Sequence, residues 1–247
     1  MVSAALFATA LYHPSSRLAA SISSEWVRRS VMGFGMGVTA VAIIYSPWGQ
    51  RSGAHMNPAV TLTFFRLGTV QRQDCVGYVL AQFVGGIAGI AIVVAALGGI
   101  VSDPSINYVV TTPGPSGRAV AFVAEAAMAF GMMLMILSMS NRPRLARFTG
   151  LCAGLILWTY ITVEAPLSGM SINPARTLGS ALLAGDFAGL WIYFTAPPLG
   201  MLMAAELYTR SGGDRRVMCA KLHHPHGGAC VFGCDLRMRA TAPARSV

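Results

Sequence analysis

The sequence predicts an all-α membrane protein built from two halves of inverted topology. Three observations carry that expectation. The chain has 247 residues, of which 54% are hydrophobic and only 11% charged, with a mean hydropathy of +0.58. A soluble domain carries about 25% charged residues, so the shortfall marks a chain whose solvent is lipid. Second, several apolar runs reach the ~20 residues that a helix needs to cross a bilayer. Third, the triplet Asn-Pro-Ala occurs twice, as Asn57-Pro58-Ala59 and Asn173-Pro174-Ala175, roughly half a chain apart.

In the first half, residues 2–12 are apolar but too short to span, and His13-Pro14-Ser15-Ser16 breaks them. They read as an interfacial piece or as the last part of a first spanning helix shortened at its start. Residues 27–45 form the first full span, with Arg28 and Arg29 at its beginning. Residues 47–53 read as a loop, and a short helix is expected over 58–67. Residues 76–97 are a long span containing Gly77, Gly85, Gly86 and Gly89; small residues of this kind let membrane helices approach closely. Residues 98–117 are polar and turn-rich.

The second half repeats the order. Spans are expected over 118–139 and 148–163, separated by a basic turn with Arg142, Arg144 and Arg147. Residues 164–172 read as a loop into the second short helix, and 190–208 as the last span. An odd number of spans per half inverts the second copy in the membrane, so the two short helices enter from opposite faces and meet near the midplane. The expected division is a transmembrane part over 1–210, with repeats at about 1–100 and 118–210, and a basic tail over 211–247.

Charge placement agrees with that topology. With the 142–147 turn and the C-terminus on the cytoplasmic side, most Arg and Lys fall inside, including Arg215, Arg216, Arg237, Arg239 and Arg245 of the tail. Arg28 and Arg29 run against it. The net charge of +9 therefore reads as topology with a solvated cytoplasmic tail, not as nucleic-acid binding. No basic segment precedes the first apolar run, so no removable signal peptide is expected. Five cysteines are too scattered for a disulfide framework.

Each Asn-Pro pair is a helix start. The Asn side-chain oxygen caps an orphan backbone N–H, and Pro suits the first helical position because its missing N–H costs nothing. A helix N-terminus carries about half a positive charge, so two facing ends form a positive ridge that repels cations and hydronium. The amide NH2 groups of Asn57 and Asn173 remain to donate to a passing oxygen. Arg176, one turn into the second helix, adds a fixed cation.

At these residues the chain resembles the aquaporin, or major intrinsic protein, family. The resemblance is carried by His55-Met56-Asn57-Pro58-Ala59-Val60-Thr61, by Asn173-Pro174-Ala175-Arg176-Thr177 and by Gly77-Tyr78-Val79-Leu80-Ala81-Gln82, and covers roughly 27–209. It implies six spans plus two re-entrant half-helices, a homotetramer with one pore per subunit, and passive passage of water or small neutral solutes. It also implies a constriction around Arg176, with either Met36 or Gly37, Ile161 and Met170 as the other walls, where water-selective members carry Phe, His and a small residue in that order. Thr177 stands where glycerol-conducting members carry Asp, and Tyr193-Phe194 resembles an aromatic pair of water channels. By the same resemblance, Glu125 braces the re-entrant loop of its own half, and His55 lines the pore on the cytoplasmic side, where it could act as a pH-sensitive gate. A matching acid is expected in the first span, and no acid precedes Glu25.

Two readings compete with a water-selective pore. One is a glycerol- or metalloid-type solute pore. The other is a non-conducting scaffold or metal-binding protein of the same fold, suggested by the tail cluster Cys219, His223, His224, Cys230 and Cys234, whose thiol and imidazole density suits zinc or another soft metal. No further cofactor is expected. An enzyme is disfavoured, because no paired carboxylates or Ser/His/Asp set could converge at membrane depth.

Overall fold

A computed structural model describes residues 1–211, 217–224 and 230–234; Arg215, Arg216, Arg237, Arg239 and Arg245 lie outside them. These residues form ten α-helices and no strand. The first half contains α1 (Val2–Tyr12), α2 (Arg17–Ser21), α3 (Glu25–Tyr45), α4 (Pro47–Ser52), α5 (Pro58–Arg66) and α6 (Arg72–Leu97). The second contains α7 (Arg118–Ser140), α8 (Thr149–Ser168), α9 (Pro174–Ala184) and α10 (Leu190–Arg210). Five stretches are long and apolar enough to cross a membrane: Glu25–Tyr45, Arg72–Ile100, Arg118–Ser140, Ala146–Ser168 and Leu190–Arg210, with Val2–Tyr12 a shorter apolar helix.

The helix pairings show the inverted repeat directly. Matching α1, α3, α5 and α6 to α7, α8, α9 and α10, each pairing has its counterpart. The helix α7 packs on α10 as α1 packs on α6, and α3 packs on α8 across the pseudo-symmetry axis. Each short helix lies against the last span of the opposite half, α9 on α6 and α5 on α10. Glycine makes two of these contacts possible. A Cβ on Gly86 would stand 2.5 Å from the Ala175 carbonyl oxygen, and one on Gly37 would stand 2.6 Å from that of Gly154. The outward faces are apolar and exposed, as at Leu80, Val84 and Val123, which suits lipid contact.

Several boundaries differ from expectation. Residues 47–52 are helical because Ser46 caps α4 through the Gly49 N–H at 3.0 Å, with Pro47 in the first turn. The helix α8 runs through the expected loop to Ser168, with Pro166 inside it. Arg28 and Arg29 owe their place to hydrogen bonding. Arg28 donates to the Ala19 and Ile22 carbonyls, both at 2.7 Å, and Arg29 to the Thr162 carbonyl at 3.3 Å.

Part of the described tail is buried rather than solvated. Cys219, Ala220, Lys221 and Leu222 are buried. Ala220 and Leu222 join the main apolar cluster, beside Ile44, Ala54, Val60, Leu137 and Ala153.

Candidate functional site

The site is assembled at the start of the two short helices. Asn57 is extended at φ −147° and its Oδ1 accepts the Ala59 N–H at 2.9 Å; Asn173 at φ −145° accepts those of Ala175 at 3.1 Å and Arg176 at 3.4 Å. Both are therefore caps, as the sequence indicates. Their amides are not wholly available, contrary to expectation. Asn57 Nδ2 donates to the Ile172 carbonyl at 2.7 Å, and Asn173 Nδ2 donates to the Met56 carbonyl at 2.8 Å. One N–H of each amide thus ties the halves together, and a second remains on each amide. Pro58, Ala59, Pro174 and Ala175 are all buried.

The loop before α9 is strained and braced. Gly169, Met170 and Ile172 have φ of 77°, 46° and 46°. Left-handed backbone at the last two is costly for residues with side chains and persists only when neighbours over-determine it. Glu125 does so. Its carboxylate is fully buried and accepts the Ile172 N–H at 2.6 Å, the Ser171 N–H at 2.7 Å and the Ser168 hydroxyl at 2.8 Å. Tyr193 adds a bond from its hydroxyl to the Ser168 carbonyl at 2.5 Å, and the Ser171 and Thr177 hydroxyls pair at 2.5 Å. Ser168 could not be singled out from the sequence, since nothing local marks it.

The loop before α5 is held by neutral donors. Gln82 donates to the His55 carbonyl at 2.6 Å and to the Thr61 hydroxyl at 2.9 Å, and Tyr78 to the Ser52 carbonyl at 2.7 Å. Both belong to the quoted 77–82 motif, although the motif alone did not disclose their partners.

Arg176 lies in the first turn of α9 and donates to the Thr111 hydroxyl, which comes from the extended segment before α7. Thr111 was not foreseen, because it reaches the site from a connection without a motif. Ile161 packs against two apolar groups, one holding Met32, Leu11 and Met36, the other holding the buried Met170.

His55 is buried beneath the tail. Its Nε2 lies 2.7 Å from the Ala220 carbonyl, its Nδ1 lies 3.3 Å from the Thr61 hydroxyl, and its ring stacks between Phe64 and Phe232 at 5.2 and 5.5 Å. In the tail, Cys219, His224, Cys230 and Cys234 place their ligand atoms within 4.8 Å of one another. His223 is not among them; its ring packs on Tyr45 at 4.8 Å. Burial pushes the Cys219 thiol above its ordinary range. At Cys230 burial acts the same way but is outweighed by hydrogen bonds, the largest from the Phe232 backbone, and the net shift is downward.

Two half-helices meeting N-terminus to N-terminus inside a bundle of spanning helices define a multi-pass membrane channel fold. The family model for the major intrinsic protein matches residues 1–208, and the chain belongs to that family. It is 37% identical over 181 residues to a glycerol uptake facilitator protein-like 6 from Lactiplantibacillus plantarum, covering 70% of this chain and 80% of that protein. It is 32% identical over 171 residues to aquaporin NIP6-1 of Arabidopsis thaliana, covering 69% of this chain but 54% of the relative. The X-ray structure of the aquaglyceroporin from Plasmodium falciparum superposes with a TM-score of 0.69 at 22% identity, covering 85% of this chain and 90% of that one, which shows a shared fold. Members of the family are channels rather than enzymes.

Proposed function

We propose that this protein is a passive channel for water and small uncharged solutes that excludes protons and other cations. The observation that carries the reading is the reciprocal Asn57–Asn173 arrangement, which holds two positive helix ends face to face. A molecule passing between them meets one N–H from each amide. A water whose oxygen accepts both directs its hydrogens outward, which interrupts a proton-conducting chain. Arg176 raises the barrier to cations further.

The solute is chosen by the wall opposite Arg176. Met36, Ile161 and Met170 offer no hydrogen bond, so a solute with an alkyl face and a few hydroxyls gains there over water alone. The similarity to a bacterial glycerol uptake facilitator-like protein supports a glycerol-type solute. The family assignment supports a homotetramer, and the charge pattern supports a transmembrane part over 1–210 with a cytoplasmic tail over 211–247.

Stopped-flow light scattering on proteoliposomes tests the reading. Shrinkage under an impermeant osmolyte and re-swelling in glycerol should both exceed empty vesicles, while a pH-sensitive dye inside reports no added proton flux. Rates equal to empty vesicles under every condition, with correctly inserted protein, would overturn it in favour of a scaffold.

A further inference from the structure

Two short arms of the tail pack against one end of the bundle. The first, 217–224, buries Ala220 and Leu222 among α3, α5, α7 and α8 residues. It is pinned on both sides. The Leu222 N–H donates to the Gly53 carbonyl at 3.2 Å, beside the first re-entrant loop, and the Met218 N–H donates to Asn141 Oδ1 at 2.7 Å, on the turn between α7 and α8. Ala220 seats its carbonyl on His55. The second arm, 230–234, lays Phe232 over His55 and Tyr78 at 5.5 and 5.9 Å.

Each arm carries two soft-metal ligands, Cys219 and His224 on the first and Cys230 and Cys234 on the second. The Cys219 and Cys230 sulfurs are 3.6 Å apart, and Cys234 Sγ lies 3.3 Å from His224 Nε2. Ligands at ~2.3 Å from a tetrahedral zinc ion stand a little under 4 Å from one another, so three thiols and one imidazole already hold nearly the spacing the ion requires. Zinc is the expected occupant, since this set is borderline-soft and suits a four-coordinate closed site.

We propose that the tail is a zinc-locked plug: one ion held by Cys219, His224, Cys230 and Cys234 joins the two arms and holds Ala220, Leu222 and Phe232 over the His55 end of the pore. The lock rests on the channel reading above; the metal site does not. Binding displaces the thiol protons to solvent, so the ion adds its binding free energy to the closed arrangement. Removing it leaves each arm held by its own packing and hydrogen bonds.

The test uses the full chain, in reducing buffer, in proteoliposomes. Metal analysis should find about one zinc per chain, as a single four-ligand site requires. The fourfold variant Cys219→Ser, His224→Ala, Cys230→Ser, Cys234→Ser should lose it while keeping Cys75 and Cys152. Zinc-loaded protein should conduct water at least tenfold more slowly than chelator-treated protein, a change well within what the binding free energy of a structural zinc can enforce. The fourfold variant should conduct in both conditions. A second variant, Leu222→Glu with Phe232→Ala, keeps the four ligands but cannot seat the plug; it should bind zinc and conduct regardless. Absence of zinc from the native chain would overturn the site. Zinc bound with unchanged conduction would overturn the lock. No conduction by any variant would overturn the channel reading and the lock with it.

Discussion

Asn57 and Asn173 are each bonded to the carbonyl that immediately precedes the other. Asn57 donates to Ile172 at 2.7 Å and Asn173 to Met56 at 2.8 Å. The exchange is symmetric about the pseudo-axis, so the caps of the two short helices are also the joint between the halves. Replacing either Asn by Ala should cost about 1 kcal/mol for the lost cap and about another 1 kcal/mol for the orphaned carbonyl. The double variant should cost less or more than the sum by about 0.5–3 kcal/mol, because the two share one joint. Thermal unfolding of the three variants in detergent checks this; strict additivity would mean that the two bonds act independently.

Glu125 accepts three hydrogen bonds in a fully buried position. In Glu125→Gln an amide NH2 would face a backbone N–H, leaving a buried donor unsatisfied. A loss of about 3 kcal/mol is expected. Because the strained loop then loses its brace, permeability should fall more steeply than the amount of folded protein. Measuring folded fraction and vesicle permeability on one preparation separates the two effects.

Gly86 and Gly85 make a controlled pair. Alanine at Gly86 would press against the Ala175 carbonyl and push α9 outward, for a cost of about 1–3 kcal/mol. At Gly85 nothing lies within 4 Å of an added Cβ, and alanine should be neutral or stabilising by up to ~1 kcal/mol through helix propensity. The unfolding midpoint should fall for Gly86→Ala and hold or rise for Gly85→Ala.

On the proposed constriction around Arg176, Ile161→His would place a hydrogen-bonding ring in the apolar wall. The ratio of glycerol to water permeability should drop about tenfold, in the range that one changed pocket contact supplies. An unchanged ratio would place the solute-selecting constriction elsewhere.

Much of the fold was legible because it is written locally. Asn-Pro capping, span length and the repeated order of elements each act over a few residues, and the structure returns them with boundary shifts of a few positions, as at α8, where Pro166 does not end the helix. Glu125 was legible because an acid inside an apolar run is expensive and must have partners. Its particular partner Ser168, and the Thr111 hydroxyl on Arg176, were not, since both arrive through tertiary contacts that leave no periodic trace. Counting charges set Arg28 and Arg29 against the topology, whereas their placement is explained by carbonyls that need donors. Ala220 and Leu222 were hidden for a related reason: a short apolar pair in a polar tail has no periodicity from which burial can be read.

The crossing of the short helices onto opposite halves has a consequence for how the chain is made. The seat of α5 is α10, the last span of the chain to be synthesised, while the seat of α9 on α6 exists well before α9 emerges. At ~5–20 residues per second, α5 waits on the order of ten seconds for its partner. During that interval the Met56 carbonyl lacks its bond from Asn173, and α5 lacks its packing on α10. The seating of α5 on the second half is therefore completed only after α10 has been made, whereas α9 meets its seat as it emerges.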